Sequence, residues 1–314
     1  MQMINFIDKS TAEVVHQGLN FLCENLRADG IQANWYATVQ EAQPGAILLL
    51  HDPVDEDKIP PGCQVIGQRC LNRRERLVLA ERCGLPVATW CALDNLAQIP
   101  LLFDRWEVDN LLFKADWSYS RGGIKRLTRD DHQPFCPDKF NPDGDIFMKI
   151  LDGSPDTYKV DLFYDQPFAC RHMHTRSVFD KKFYNGFYRW SQLGTMPPLE
   201  EGLKKLGKEL FFYGQGFSGA DVMYDKDNNP WIIELNTSSL GRENTWHRWP
   251  EQYLQGYLLG LRHWIKDGCP AEFCHGISPR AALLDDRSGG DYPLIVPQNQ
   301  NQHQADTQIG GISR

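Results

Sequence analysis

The chain has 314 residues, of which 41% are hydrophobic and 24% charged, a composition typical of globular proteins with a prior of about two domains. Its 33 basic and 41 acidic residues leave a net charge of −8, which argues against a uniformly basic nucleic-acid binder. No apolar run approaches the ~20 residues of a membrane span, and MQMINFIDKS has no basic n-region leading into an apolar stretch, so neither a membrane protein nor a signal peptide is expected. The nine cysteines are scattered and form no CxxC pair; reduced, mostly buried thiols in a cytoplasmic protein are the expectation.

In chain order, the first ~70 residues read as small α/β. Val14, Val15, Leu19, Leu22 and Leu26 share one face of a helix over 11–26. A buried strand follows over 46–50, and a second over 64–67 after the turn Pro60-Pro61-Gly62. His51-Asp52-Pro53 then lies at a strand carboxyl end, where α/β folds place ligands, or forms a plain loop turn. Asn72 with Glu75 three residues on reads as a capping box for a helix through 77–82, ended by Gly84 and Pro86. The chain is extended over 86–90, and 110–114 is an apolar strand ending on Lys114, followed by a Ser/Gly loop over 118–123.

Strands are expected over 145–151 and 159–164, flanking a turn at 152–156, then an amphipathic helix over 199–210. Strands over 220–224 and 231–236 are joined by DKDNNP, a run of turn formers. A helix over 253–265 closes the folded part. After Pro279 the chain is polar, and QNQNQHQADTQ is low-complexity, expected to be disordered.

The hairpin GADVMYDKDNNPWIIELNTSS (219–239) carries the most chemistry. If Tyr224 pairs with Trp231, Asp221 lies opposite Glu234 with Cβ atoms roughly 4.5–5.5 Å apart, and Asn236 follows on the same face. Opposed like charges destabilise a sheet unless something positive lies between them. Three hard oxygen donors suit Mg²⁺, with Mn²⁺ as an alternative; a solvated polar face with the carboxylates splayed apart is the other reading. In LLFKADWSYSRGGI (111–124), the amides at Gly122 and Gly123 and the hydroxyls of Ser118 and Ser120 can wrap phosphate oxygens, with Lys114 as a point charge. The Walker pattern is absent, and a simple Gly-Gly turn fits the same letters.

Together with NRRERLVLAERCGLPVATW (72–90), these two segments resemble, in order, the ATP-grasp ligases, nearest to D-alanine–D-alanine ligase and glutathione synthetase. The resemblance lies within residues ~70–265, and the hairpin is its most specific part. It implies an α/β (α+β) ATP-grasp fold: an N-terminal α/β subdomain over 1–71, a central lid subdomain over 72–148, a C-terminal antiparallel-sheet subdomain over 149–278 and a polar tail over 279–314. It also implies ATP and two Mg²⁺ ions, held by Asp221, Glu234 and Asn236, with Glu234 bridging the ions.

Carried over by position, Lys114 matches a lysine that reaches ATP, and Ser118, Ser120, Gly122 and Gly123 match the phosphate-covering loop. An earlier family lysine falls on Arg73, which keeps the charge with another geometry. Met148, Lys149 and Ile150 fall where adenine is bound through backbone groups, and Asp156 near a ribose-binding acid. Lys159, Arg171 and Arg176 fall where relatives place cations against the transferred phosphate. Ser238, Ser239, Gly241 and Arg242 fall at the substrate grip; Leu240 and Arg242 depart from the D-alanine ligase pattern and point to an acidic or peptide-like substrate.

The implied reaction is a ligation through an acylphosphate. Its partners are small-molecule or peptide carboxylates and amines, with room for a homodimer and no role for a membrane. A small-molecule kinase and a non-catalytic nucleotide-binding protein are the alternatives.

Overall fold

A computed structural model describes residues 3–51, 54–67, 71–116, 123–131, 140–174, 189–191, 197–236 and 250–269. The polar tail expected after Pro279 lies outside them. Contacts divide the chain into two compact units. Among the described residues, the first takes the chain up to Leu71, Glu75–Pro86 and everything from Asp152 to Cys269; the second takes Asn72–Arg74 and Val87–Leu151.

The first unit holds two sheets. One is parallel, in the order β2-β1-β3-β4, from β1 (Met3–Ile7), β2 (Gln32–Tyr36), β3 (Ile47–Leu50) and β4 (Gln64–Ile66). Helix α1 (Glu13–Ala28) crosses from β1 to β2. Its buried stripe of Val15, Leu19, Leu22, Cys23 and Leu26 meets Ile4 and Phe6 on one face of the sheet. Leu48, Leu50, Ile7 and Val65 fill a smaller cluster with Val39 and Cys63. The alternation of β1 between two clusters follows from its period of two.

The other sheet is antiparallel, in the order β11-β10-β9-β12-β13. Its strands are β9 (Gly153–Phe163), β10 (Gln166–His174), β11 (Arg189–Ser191), β12 (Ser218–Asp225) and β13 (Pro230–Asn236). The turn expected at 152–156 is corrected: β9 already begins at Gly153, and Asp156 pairs with His174. Helices α4 (Pro197–Phe212) and α5 (Pro250–Lys266) complete the unit. Phe163, Phe211, Tyr253, Tyr257, Leu261 and Trp264 join the α1 stripe in one core cluster. Along α4, Gly207 lies so close to Tyr164 that a Cβ there would sit 1.8 Å from the Tyr164 carbonyl oxygen. Only a residue without a side chain lets the helix seat at that depth.

The second unit is built on an antiparallel sheet, in the order β5-β8-β6-β7, from β5 (Trp90–Cys91), β6 (Asn110–Lys114), β7 (Ile124–Thr128) and β8 (Ile146–Lys149). Helix α3 (Ile99–Trp106) covers it with Ile99, Leu102, Phe103 and Trp106, packed on Leu111, Phe113, Leu127 and Phe147. Helix α2 (Arg73–Arg82) spans the boundary between the units.

Cys23, Cys63, Cys83, Cys91 and Cys269 are free and buried. Burial pushes the thiols of Cys23 and Cys91 up to about 12 and those of Cys83 and Cys269 up to about 11, so these four are not ready nucleophiles. Among the described residues, no helix is long and apolar enough to cross a membrane.

Candidate functional site

A transverse row of charge crosses the five-stranded sheet. Arg171 of β10 pairs with Lys159 of β9, Lys159 with Asp221 of β12, and Asp221 with Glu234 of β13. Directly opposed residues share a face, so Lys159 lies beside the carboxylate pair. Its Nζ stands 3.8 Å from Asp221 Oδ1, with side-chain exposures of only 9% and 15%. Asn236 Nδ2 donates to the same Oδ1 at 3.3 Å.

The hairpin register differs instructively from the sequence reading. Tyr224 pairs with Pro230 rather than Trp231, and Met223 takes Trp231. A bulge between Asp221 and Val222 absorbs the difference, because Ile233 is the extra residue on β13. Asp221 therefore does face Glu234, with Gly219 facing Asn236.

The turn is fixed by Asp225. Its Oδ1 accepts from the amides of Asp227 (2.9 Å) and Asn229 (2.8 Å), and its Oδ2 from Trp231 Nε1 (2.9 Å). The Trp231 indole first, then these amides, hold the Asp225 carboxyl below the usual range. Asn228 takes a positive φ of 62° within it, a conformation asparagine tolerates.

One strand inward, Gly219 leaves the gap through which Lys159 extends. A Cβ there would meet Lys159 Cε at 3.2 Å and Asp161 Oδ1 at 3.4 Å. Asp161 is fully buried. Two carboxylates and a carboxamide make a hard-oxygen set, with an ammonium adjacent to it. No cluster of three or more His, Cys, Asp or Glu residues able to cage an ion exists among the described residues. The oxygens of Asp221, Glu234 and Asn236 are of the kind that suits Mg²⁺, which binds through one or two carboxylates and keeps waters and phosphate oxygens.

In the second unit, Lys114 ends β6, buried, and pairs with Ile124 and Ile146. The Ala115 amide donates to Gly123 O at 2.8 Å, closing the base of the hairpin loop. Arg73, the first residue of α2, is buried and donates from Nε to Ala115 O at 3.1 Å. Its amide is capped from afar by Asp116 Oδ1 at 2.6 Å. The Asn72 side chain donates from Nδ2 to Asp143 O at 3.1 Å.

Asp145 accepts from the amides of Asp116 (2.8 Å) and Asn141 (2.9 Å). Burial, and in lesser degree the Asp116 charge, raise its carboxyl above the ordinary range. Met148 lies mid-strand between Trp90 and Leu112. Lys149 points its exposed side chain to Trp106 O at 3.3 Å, and Ile150 follows the end of β8.

Ser118, Ser120, Gly122, Arg176, Ser238, Ser239, Gly241 and Arg242 lie outside the described residues, and the side chains of Asp156 and Arg171 are likewise not described. The structure thus brings together Lys159, Asp221, Glu234 and Asn236 on one sheet, and Arg73, Lys114 and Gly123 around one loop base. Sequence reading missed Asp116 and Asp145. Their partners lie as far as 43 residues away, and no local spacing announces such a pair.

His51 acts as a pin, while Asp52 and Pro53 lie outside the described residues. Its Nδ1 lies 2.6 Å from Asp8 Oδ2, and its Nε2 3.1 Å from Tyr257 Oη. At 1% side-chain exposure it ties β1 and β3 to α5.

No family model and no curated protein matches the chain. Solved structures do. A RiPP-associated ATP-grasp ligase from Chryseobacterium gregarium, in complex with ADP and a leader and core peptide, aligns at a TM-score of 0.56 and 11% identity, covering 88% of this chain and 100% of that one. The D-cycloserine synthetase DcsG aligns at 0.54 and 13% identity, covering 83% and 99%. The ATP-grasp ligase PsnB, complexed with minimal precursor, Mg and ADP, aligns at 0.52 and 16% identity, covering 82% and 98%.

Proposed function

We propose that this chain, whose fold is that of the ATP-grasp ligases, is an ATP-dependent carboxylate–amine ligase that forms an amide bond through an acylphosphate. The observation that carries the reading is the Lys159–Asp221–Glu234 row with Asn236 beside it. Two carboxylates set directly opposite each other cost stability in a sheet; a divalent ion bound with ATP turns that cost into affinity. In this reading Asp221, Glu234 and Asn236 hold two Mg²⁺ ions, which supply charge neutralisation at the phosphates.

Lys159 lies beside the carboxylates and places a fixed positive charge toward the transferred phosphoryl group. Arg171, one strand further in the same register row, and Arg176 serve the same charge. Lys114 reaches the phosphates, with the loop through Ser118, Ser120, Gly122 and Gly123 over them; Arg73 adds charge. Met148, Lys149 and Ile150 border the adenine, and Asp156 the ribose. Ser238, Ser239, Gly241 and Arg242 grip the substrate.

The substrate carboxylate attacks the γ-phosphorus, releasing ADP and leaving an acylphosphate. An amine then attacks the acyl carbon, expelling inorganic phosphate and losing one proton as the amide forms. Positioning and charge stabilisation do this work, without a protein nucleophile. Cys23, Cys83, Cys91 and Cys269, with thiols held above their ordinary range by burial, agree with that.

Three structural neighbours are described with precursor, leader or core peptides bound, which supports a peptide or peptide-like acid as one substrate. The test is ADP release from ATP and Mg²⁺ with pooled amino acids and short peptides. Release that needs both an acid and an amine is expected. Release with a single acceptor lacking an amine would replace the ligase by a kinase. Nucleotide binding with no release in any pool would favour a non-catalytic binding protein.

A further inference from the structure

Two acidic side chains that the ligation does not use form a buried junction in the second unit. Asp116 is 6% exposed and Asp145 2%. Asp116 Oδ1 accepts the first amide of α2, that of Arg73, at 2.6 Å. An acceptor with negative charge there satisfies an orphan helical N–H and complements the helix dipole.

The capping residue normally lies next to its helix. Here it comes from 43 residues away, so the start of α2 cannot shift without moving the chain just after Lys114. The amide of Asp116 in turn donates to Asp145 Oδ1 at 2.8 Å, and Asp145 leads directly into Ile146, which pairs with Lys114. The two carboxylates thus tie three elements: the start of α2 at Arg73, the end of β6 at Lys114 and the start of β8.

The Gly144 turn closes the clamp. A Cβ at Gly144 would fall 2.4 Å from Asp116 Oδ2, so glycine is required for the carboxylate to seat. Asp116 Oδ2 itself is buried with no hydrogen-bond partner among the described residues, and an acid left so costs stability. Asp145 is held above its usual range by burial and by its neighbour's charge. An apolar junction of the same shape would leave the amides of Arg73, Asp116 and Asn141 without these acceptors. The acidic one fixes direction, because each carboxylate accepts backbone amides from a different element.

We propose that Asp116 is a positioning residue, which through the Arg73 amide and Asp145 sets Arg73 and Lys114 at the spacing that a nucleotide's phosphates require. This rests on the nucleotide-binding part of the function proposed above. Asp116 touches no substrate; it acts through the two cations.

The test compares affinities for ADP and for adenosine, which lacks the phosphates, in the full chain and in Asp116→Ala and Asp116→Asn. Asp116→Ala is expected to weaken ADP about ten-fold and to leave adenosine within two-fold. Asp116→Asn, which keeps an acceptor for the Arg73 amide, is expected to fall between Asp116→Ala and the parent. An unchanged ADP affinity in Asp116→Ala overturns the proposal. Equal weakening of ADP and adenosine, without rescue in Asp116→Asn, also overturns it, since a general loss of structure acts on both ligands. If the unmodified chain binds adenosine but not ADP, the phosphate-positioning role falls and the adenine assignment stands; if it binds neither, the nucleotide reading fails with it.

Discussion

Replacing Glu234 by Gln is expected to reduce ADP release by at least about 100-fold, the scale seen when a preorganised charge is removed from a reacting phosphate or acyl group. The change is nearly isosteric and leaves the β12–β13 ladder intact. It removes one of two carboxylates set directly opposite each other, a juxtaposition that costs ~0.2–1 kcal/mol in a sheet. The metal-free variant is therefore expected to melt no lower than the parent. Added Mg²⁺ and ADP should raise the melting temperature of the parent by mass action and that of the variant much less. Turnover that survives in the variant would remove Glu234 from the site. Turnover lost together with a lower metal-free melting temperature would make the residue structural.

The second large effect concerns the core. Phe163 closes β9 with its ring 4.2 Å from Tyr257, 4.8 Å from Phe211 and 5.0 Å from Phe217, centroid to centroid. It is 1% exposed. Phe163→Ala removes a ring that touches α4, α5 and the approach to β12 at once, and is expected to cost ~3–5 kcal/mol. A urea midpoint shifted by that amount, at unchanged slope, is the expected result. A loss below ~1 kcal/mol would mean that the aromatic cluster collapses into the space, and that the core is less tightly specified than its ring geometry indicates.

How far the letters alone reach depends on the range of the interaction. Helices α1, α4 and α5 were legible because a 3.6-residue stripe is a local signal. The strands β1 and β2 were not: MINFI and QANWY are five residues each, and each carries an asparagine, a residue depleted in strands, at its centre. The tryptophan-ended helix α3, at eight residues, is likewise too short for periodicity to separate it from a buried strand.

Gly153, Pro155 and Asp156 read as a turn because their local preferences say so. Pairing with β10 and β12 overrides them and makes one 11-residue strand. The opposition of Asp221 and Glu234 came out of the sequence even though the turn pairing beneath it was off by one. The bulge at Ile233 supplied the missing residue, and nothing in the letters distinguishes that from a regular ladder. The Asp116–Asp145 junction depends wholly on tertiary proximity, and local reading has no access to it.

The core that joins α1 to α5 has a consequence for how the chain is made. Val15 and Leu19 share their cluster with Tyr257, Leu261 and Trp264, and Asp29 holds Arg262 through two hydrogen bonds of 2.6 and 3.1 Å. At ~5–20 residues per second on the ribosome, α1 waits on the order of 12–50 s for those partners. The residues of 87–151 are contiguous and have everything they need long before. Maturation is therefore out of order: the middle of the polypeptide is finished first, and its beginning last. A nascent chain arrested at residue 240 is expected to show 87–151 resistant to protease while 3–51 is still cut; protection of both would mean that the parallel sheet keeps its own core without α5.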